Sequence, residues 1–189
     1  LDVATIGFDL REARIDIGEI GWVKPAGDAA RATLTYKGSD TTQASTVRLE
    51  SETAALDGDI LLDTVGRFQA LTLRRLFVDG TADVAGRVER VGRAGLDIEL
   101  TGAFLDISSV IGDISGLSGS GGDIGINLNM LANVDRLRLR RGLDLANASV
   151  TVESDESGLR GVSANGDIAD GARLAANYRV GENGAPPQI

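Results

Sequence analysis

Apolar and polar residues alternate along the segment from Thr81 to Gly102, on either side of a break at residues 91–95. In the second arm the apolar positions are Leu96, Ile98 and Leu100, and charged or polar residues stand between them. A period of two is typical of a β-strand, because successive side chains point to opposite faces of a sheet. The segment is therefore predicted to form a hairpin with one aliphatic face and one charged face.

The same alternation recurs along most of the chain and predicts an all-β fold. The alternating segments number about ten to twelve, and their close spacing favours a long antiparallel meander. Apolar residues at helical spacing predict one short helix over residues 104–111. Residues 112–123 are rich in Gly and Ser and are predicted to leave the sheet as a surface excursion, and residues 181–189 are predicted to form a frayed tail.

Glycines and changes of phase predict local irregularities. The apolar positions change phase between Phe68 and Val78, and a β-bulge near Arg74 and Arg75 would reconcile them. Asp-Gly pairs favour tight turns because glycine accepts a positive φ, and they occur at residues 57–58, 79–80 and 170–171. The tripeptide Gly-Asp-Ile is predicted to lead from a turn into a strand wherever it occurs, at residues 58–60, 112–114, 122–124 and 166–168.

The composition limits both the core and the partners of the chain. Apolar residues make up 42% of the sequence but aromatic residues only 4%, which predicts thin, repetitive packing of Ala, Val, Ile and Leu. A net charge of −9 argues against nucleic acid as a partner, because phosphate binding needs a basic surface. The basic run at residues 136–141 alternates with leucine, and it is predicted to be the solvated face of a strand.

The chain contains no His and no Cys. The usual base for a serine nucleophile, a thiolate nucleophile and the common ligands of zinc and haem are therefore missing. Most carboxylates alternate with aliphatic residues or fall in predicted turns, and their spacing matches neither an EF-hand loop nor the nonapeptide calcium repeat. The chain is accordingly predicted to be non-enzymatic, without a cofactor or a metal.

The sequence begins at Leu1 inside a predicted strand and without an initiator Met. It is therefore interpreted as a single elongated β-domain, residues 1–189, that forms part of a longer protein. No apolar run in it reaches the roughly 18 to 20 residues that cross a bilayer as a helix. Targeting signals that are missing from this stretch carry little information about the whole protein.

Trp22 is the only tryptophan, and it stands beside the turn formed by residues 24–27. Two interpretations of this residue remain open. It caps the end of the sheet beside a Pro-Gly turn, or it takes part in binding at the mouth of a groove.

The segment from Gly21 to Leu34 resembles the Trp-x-Lys-Pro-Ala-Gly-x-Pro-Ala-Arg stretch of AsmA-like proteins of the YhdP type. One departure is Ala29, which stands where the family pattern has a second Pro. The segments that follow are similar in order and in pattern: Leu71 to Leu76, Asp83 to Val88, Leu105 to Ser108, and two Leu-x-Leu strands at residues 137–139 and 143–145. The likeness runs over most of the chain.

The resemblance implies a long, curved antiparallel sheet that is folded lengthwise into a trough with an apolar interior, an arrangement also described as β-taco-like. It also implies a role in bridge-like lipid transport across the periplasm of Gram-negative bacteria, between the inner and the outer membrane. The implied partners are phospholipid acyl chains, neighbouring segments of the same longer chain and the inner membrane, which is reached through a helix outside this sequence.

Periodicity alone identifies the candidate lining residues of such a groove: Val84, Val88, Leu96, Ile98, Leu100, Ile126, Leu128, Leu137 and Leu139. A one-sided aliphatic sheet needs something to cover it, and this chain predicts neither helices nor many aromatic side chains for that purpose. A lipid conduit is the first interpretation. The alternative is a structural or envelope-assembly scaffold in which a second sheet closes a two-layer β core.

Overall fold

The computed structural model describes residues 2–17, 22–38, 43–108, 127–156, 158–168 and 171–179. Most of these residues lie in β-strands, and the described part contains no helix. The thirteen strands are β1 (Asp2–Asp9), β2 (Ile15–Ile17), β3 (Trp22–Lys24), β4 (Ala30–Gly38), β5 (Gln43–Ser51), β6 (Ala54–Leu62), β7 (Phe68–Val78), β8 (Ala82–Val91), β9 (Gly95–Asp106), β10 (Asn127–Arg140), β11 (Leu143–Asp155), β12 (Gly158–Asp167) and β13 (Arg173–Arg179).

Eleven of the strands form one sheet in the order β1-β4-β5-β6-β7-β8-β9-β10-β11-β12-β13, and β2 and β3 form a separate hairpin. From β4 onward each strand lies beside its neighbour in sequence, as a meander requires. The predicted all-β, mainly antiparallel fold is therefore confirmed.

Strands β9 and β10 are parallel, unlike the antiparallel pairing expected throughout. Alternation along a strand fixes which side chains share a face, but it says nothing about the direction of the neighbouring strand. A parallel pair needs a crossover connection of a dozen or more residues, whereas an antiparallel pair can be joined by two. The predicted excursion at residues 112–123 stands between these two strands in the sequence, and it lies outside the described residues.

The helix predicted for residues 104–111 does not begin at Phe104, because Phe104 to Asp106 are the last three residues of β9. The Asp106 Oδ1 atom accepts a hydrogen bond of 2.8 Å from the backbone N–H of Ser108. This contact satisfies a backbone donor directly after the strand, as a capping side chain does. Residues 109–111 and the predicted tail at 181–189 lie outside the described residues.

The bulge predicted near Arg74 is confirmed, since the register of β7 shifts against β8 between Leu73 and Leu76. Of the predicted turns, the one at residues 79–80 is confirmed, with Gly80 at a φ of 71°. The turn predicted at residues 57–58 is wrong, because both residues lie inside β6. A Cβ on Gly58 would stand 2.9 Å from the carbonyl oxygen of Thr72. Glycine at this position therefore lets β6 and β7 approach each other closely beside the bulge.

Gly-Asp-Ile was expected to open a strand, and that prediction is wrong wherever the structure describes the tripeptide. Residues 58–60 lie in the middle of β6, and residues 166–168 stand at the end of β12. The other two occurrences lie outside the described residues. At Gly166, as at Gly58, an added Cβ would approach a neighbouring strand, 2.8 Å from the carbonyl oxygen of Ala146.

The chain divides into two compact units, Leu1–Glu89 (unit 1) and Arg90–Ile189 (unit 2), which are described separately below. Unit 2 has the more deeply buried core. Four of its aliphatic side chains have no exposed surface: Ala132, Leu137, Leu145 and Val150.

Burial along β10 and β11 changes phase at one place within unit 2. Up to Val134 the even-numbered residues of β10 are the less exposed ones, with Leu128 and Met130 half-buried and Ala132 and Val134 buried; from Leu137 onward the odd-numbered residues are buried. Strand β11 changes phase opposite this point, where Asn147 has a φ of 47° and the register against β12 shifts. Asn tolerates the left-handed conformation better than most residues, so it suits this irregularity. The change keeps aliphatic side chains buried on both sides of it.

Candidate functional site

The register of unit 1 aligns the mainly aliphatic side chains of one face in rows that run across the strands. Neighbouring rows are about 7 Å apart, because they are separated by two residues along a strand. The first row holds Ala54, Val78 and Ala82; the second holds Ala32, Leu49, Leu56, Leu76 and Val84; the third holds Leu34, Val47, Gly58, Leu73 and Gly86; the fourth holds Tyr36, Ser45, Ile60, Leu71 and Val88.

The first row is buried, whereas most side chains of the second, third and fourth rows are half-buried. Every side chain of the first row is at most 5% exposed. In the third and fourth rows only Leu73 among the larger side chains is buried, and the other side chains are half-buried. Half-buried aliphatic groups in register can bind an apolar ligand, because they combine an apolar surface with access from outside.

The hairpin of β2 and β3 covers the first row. Trp22 is 4% exposed and packs against Ala54 and Val78, and Leu49 and Leu76 of the second row also touch this cluster. The indole Nε1–H donates a hydrogen bond of 3.0 Å to the hydroxyl of Thr53. Of the two interpretations of Trp22, the structure therefore fits the cap at the end of the sheet.

Lys24 fixes the hairpin from within and is only 2% exposed. Its ammonium group donates to the backbone carbonyl oxygens of Arg11, Ala13 and Pro25 at 3.2, 2.8 and 2.9 Å. Three carbonyl acceptors match the three donors of a lysine. Because these acceptors flank the hairpin on both sides, Lys24 ties its two ends together.

The opposite face of unit 1 is polar and carries ion pairs. The guanidinium of Arg74, placed by the bulge, bonds both Asp57, with Nε 3.0 Å from Oδ1, and Asp59. The hydrogen bond from Arg74 lowers the pKa of Asp57. The pKa of Asp59 is lowered first by the hydrogen bond from the Thr46 hydroxyl and then by Arg74. Unit 1 thus has one aliphatic face and one charged face.

Unit 2 carries similar rows on β9 to β12. The residues of β9 and β10 that share a face lie directly beside one another in the parallel register. One row holds Leu96 and Leu128; the next holds Ile98, Met130, Val152 and Val162; a third holds Leu100, Ala132, Val150 and Ala164. Leu96, Ile98, Leu100, Leu128 and Met130 are half-buried, whereas the members on β11 are buried.

The candidate lining residues therefore fall into three groups. Val88 in unit 1 and Leu96, Ile98, Leu100 and Leu128 in unit 2 are half-buried. Val84, Leu137 and Leu139 are buried, at 2%, 0% and 7% exposed. Ile126 lies outside the described residues.

Sequence reasoning left out several half-buried residues of the same rows. They are Leu34, Val47, Ile60 and Leu71 in unit 1 and Met130 in unit 2. All five alternate with polar or small residues in the same way as the chosen candidates, so the signal that could have found them was present.

A cavity of about 920 Å³ lies at the end of the β10–β11 hairpin, lined among others by Asp106, Arg138 and Asp144. Arg138 pairs with both carboxylates, at 3.1 Å from Asp144 and 3.5 Å from Asp106, and the bond to Asp144 raises its pKa. The guanidinium groups of Arg136 and Arg138 also lie 4.5 and 5.1 Å from the ring centre of Phe104. These contacts join β9, β10 and β11 on the polar side of unit 2.

Within the residues that the structure describes, no group of three or more acidic side chains is placed to hold a metal ion. In the same part of the chain, no helix has the length and apolar character needed to cross a membrane. No family model, curated protein or solved structure matches the chain. The resemblance to AsmA-like proteins therefore stays a prediction.

Proposed function

We propose that this chain is a non-enzymatic lipid-binding segment that holds phospholipid acyl chains on its half-buried aliphatic rows and lets them pass between membranes. The observation that carries the proposal is the set of in-register rows in each unit. On each unit the opposite face is mainly polar, so the aliphatic face offers an acyl chain the more suitable surface.

The energetics of such rows favour movement as well as binding. Each CH2 group that leaves water for an aliphatic surface gains about 0.8 kcal/mol. Mainly aliphatic rows that repeat at nearly constant spacing give successive positions of a chain similar binding free energies. An acyl chain can therefore shift along them across small barriers, while its headgroup stays in water.

Burial decides which candidates take part. Val88, Leu96, Ile98, Leu100 and Leu128 are accessible enough to touch an acyl chain. The buried residues Val84, Leu137 and Leu139 pack within the units and stabilise the sheet instead of contacting lipid. Ile126 stays a candidate from its sequence position.

The periplasm as the location, and the inner and outer membranes as the two ends of the path, are supported by the resemblance to AsmA-like proteins. The same holds for the inner-membrane helix, which belongs to a segment outside this sequence, and for pairing with neighbouring segments of the longer chain. The physical part of the proposal, acyl-chain binding by the rows, does not depend on that resemblance.

A structural or envelope-assembly scaffold is the second candidate, and one observation favours it. Ala132, Leu137, Leu145 and Val150 have no exposed surface, which is typical of a closed core. A scaffold needs such a core, but it does not need accessible aliphatic side chains such as half-buried Leu96, Ile98 and Leu128. The two candidates therefore differ in whether those half-buried side chains meet lipid.

Photocrosslinking at two adjacent positions tests the proposal. A photoreactive residue replaces half-buried Ile98 in one version of the chain and exposed Glu99, which points to the other face, in a second version. Each is mixed with vesicles of phosphatidylethanolamine and phosphatidylglycerol, irradiated and analysed by mass spectrometry. We expect lipid on position 98 and not on position 99. Capture at neither position by a folded chain would favour the scaffold.

A further inference from the structure

We infer that the β2–β3 hairpin is a wall that bounds the acyl-chain surface of unit 1, so that lipid is kept from the first row and from Leu49 and Leu76 of the second. This inference rests on the proposed function, because it concerns the limits of the same surface.

The position of the hairpin provides the first reason. It belongs to a two-stranded sheet of its own and does not extend the large sheet. Its Trp22 lies on Ala54 and Val78 of the first row and reaches Leu49 and Leu76 of the second. An acyl chain would have to displace the indole to occupy that place.

The attachment of the hairpin provides the second reason. Strands β2 and β3 have only three residues each, and such a short hairpin is not stable by itself. The hydrogen bond from Trp22 to Thr53 fixes it to the turn between β5 and β6. The three carbonyl contacts of Lys24 hold its flanking loops, and Gly27, with a φ of 101°, also donates its N–H to Arg11 at 2.7 Å.

The third reason is that the cover ends within the second row, because Leu49 and Leu76 touch the Trp22 cluster, whereas Phe8, beside Ala32 in the same row, is 46% exposed. Val47 of the third row stands two residues before Leu49 on β5, on the same face; it is half-buried and does not belong to the Trp22 cluster. On β5 the contact with the Trp22 cluster therefore ends at Leu49, although both side chains are half-buried.

Photocrosslinking at Val47 and at Leu49 tests the inference, in the chain with an unchanged hairpin and in a Trp22→Ala variant. With vesicles of phosphatidylethanolamine and phosphatidylglycerol, we expect capture at position 47 in both backgrounds. At position 49 we expect capture to rise at least severalfold when Trp22 is replaced. Val23→Ala is the matched control, since Val23 is 46% exposed on the hairpin and outside the Trp22 cluster.

Each result has one meaning. Equal capture at 47 and 49 with the unchanged hairpin would overturn the wall and leave the proposed function standing. Loss of capture at 47 in Trp22→Ala would also overturn it, because the hairpin would then support the surface instead of limiting it. Lipid captured at position 98 but never at position 47 would show that unit 1 does not bind lipid. Lipid captured at no position would contradict the proposed function itself.

A second variant tests the wall with a readout of the hairpin itself beside the capture of lipid. Lys24→Met keeps the length of the side chain but removes the donors to the three carbonyls. If Lys24 holds the hairpin on the sheet, Trp22 fluorescence shifts to longer wavelength as the indole meets water, and capture at position 49 rises with it. An unchanged emission spectrum together with unchanged capture would contradict the role given to Lys24.

Discussion

Individual side chains of this protein divide by burial into those that support the sheet and those that could meet a ligand. Leu137 and Leu128 illustrate the division, because both are leucines on β10 and both are candidates from periodicity. Leu137 has no exposed surface, and Leu128 is half-buried. Alternation identifies the face of a side chain, but the depth of burial depends on what packs against it, which one sequence does not contain.

These two leucines give a prediction about stability. Leu137→Ala should lower the free energy of unfolding by about 2 to 5 kcal/mol, because it leaves a cavity in a closed core. Leu128→Ala should cost about 1 kcal/mol, since its surroundings are partly open. Urea unfolding followed by circular dichroism measures both. Equal costs would mean that the two positions are equally buried and would weaken the division of the candidates.

Trp22 and Lys24 show which contacts of a residue can be predicted from the sequence and which cannot. The unusual local composition of residues 22–27 was visible, and the capping interpretation of Trp22 fits its contacts. The three carbonyl partners of Lys24 were not predictable, because two of them belong to a loop more than ten residues earlier in the chain. Long-range contacts of this kind leave no periodic signal.

The strands show how one irregularity positions a polar side chain. The extra residue of the β7 bulge, Arg74, reaches Asp57 and Asp59, which are two residues apart on β6. The phase change of the apolar residues was enough to predict this bulge. It was not enough to predict the ion pairs, since they depend on which residue the bulge turns toward the polar face.

This arrangement predicts a pH dependence of the stability of unit 1. Arg74 holds the pKa of Asp57 below its usual value of 3.8. A lowered folded-state pKa stabilises the fold above the unfolded-state pKa, and this contribution is lost as the pH falls through the folded value. The urea midpoint of the wild type should therefore exceed that of Arg74→Gln at pH 6, and the difference should disappear near about pH 2.

Arg14→Gln is the control for that comparison. Arg14 pairs with Asp16 at 3.0 Å, but both side chains are more than half exposed, and such surface pairs contribute little. Its urea midpoint should follow the wild type at every pH. If Arg74→Gln behaved in the same way as Arg14→Gln, the Arg74 pairs would have no measurable role in stability.

The direction of β10 shows the limit of prediction for whole strands. Strand positions, faces and the bulge followed from a period of two, and the structure confirms the all-β fold that they predicted. The parallel pairing with β9 could not be predicted in this way, because alternation within a strand does not show the direction of its neighbour. The prediction of turns at Gly-Asp-Ile was wrong because glycine also occurs inside strands, where it lets neighbouring strands approach closely.

Each unit, taken by itself, is a piece of sheet with an aliphatic and a polar face, and this feature was readable from the sequence. The sequence did not show which part of the aliphatic face is accessible, because accessibility depends on the hairpin in unit 1 and on core packing in unit 2. Lipid as the ligand is an inference from the chemistry of these rows and from the resemblance to AsmA-like proteins. It needs a test that measures bound lipid directly.

The decisive measurement is the amount of phospholipid that the purified chain retains after incubation with vesicles of phosphatidylethanolamine and phosphatidylglycerol, counted by native mass spectrometry. Ile98→Asp places a charge in a half-buried row, and Glu99→Gln changes the exposed neighbour on the polar face. The affinity of Ile98→Asp should fall on the order of tenfold or more, because about 2 kcal/mol of apolar contact is lost. Glu99→Gln should bind as the wild type does. Equal binding by all three folded proteins, or none by the wild type, would contradict lipid binding by these rows.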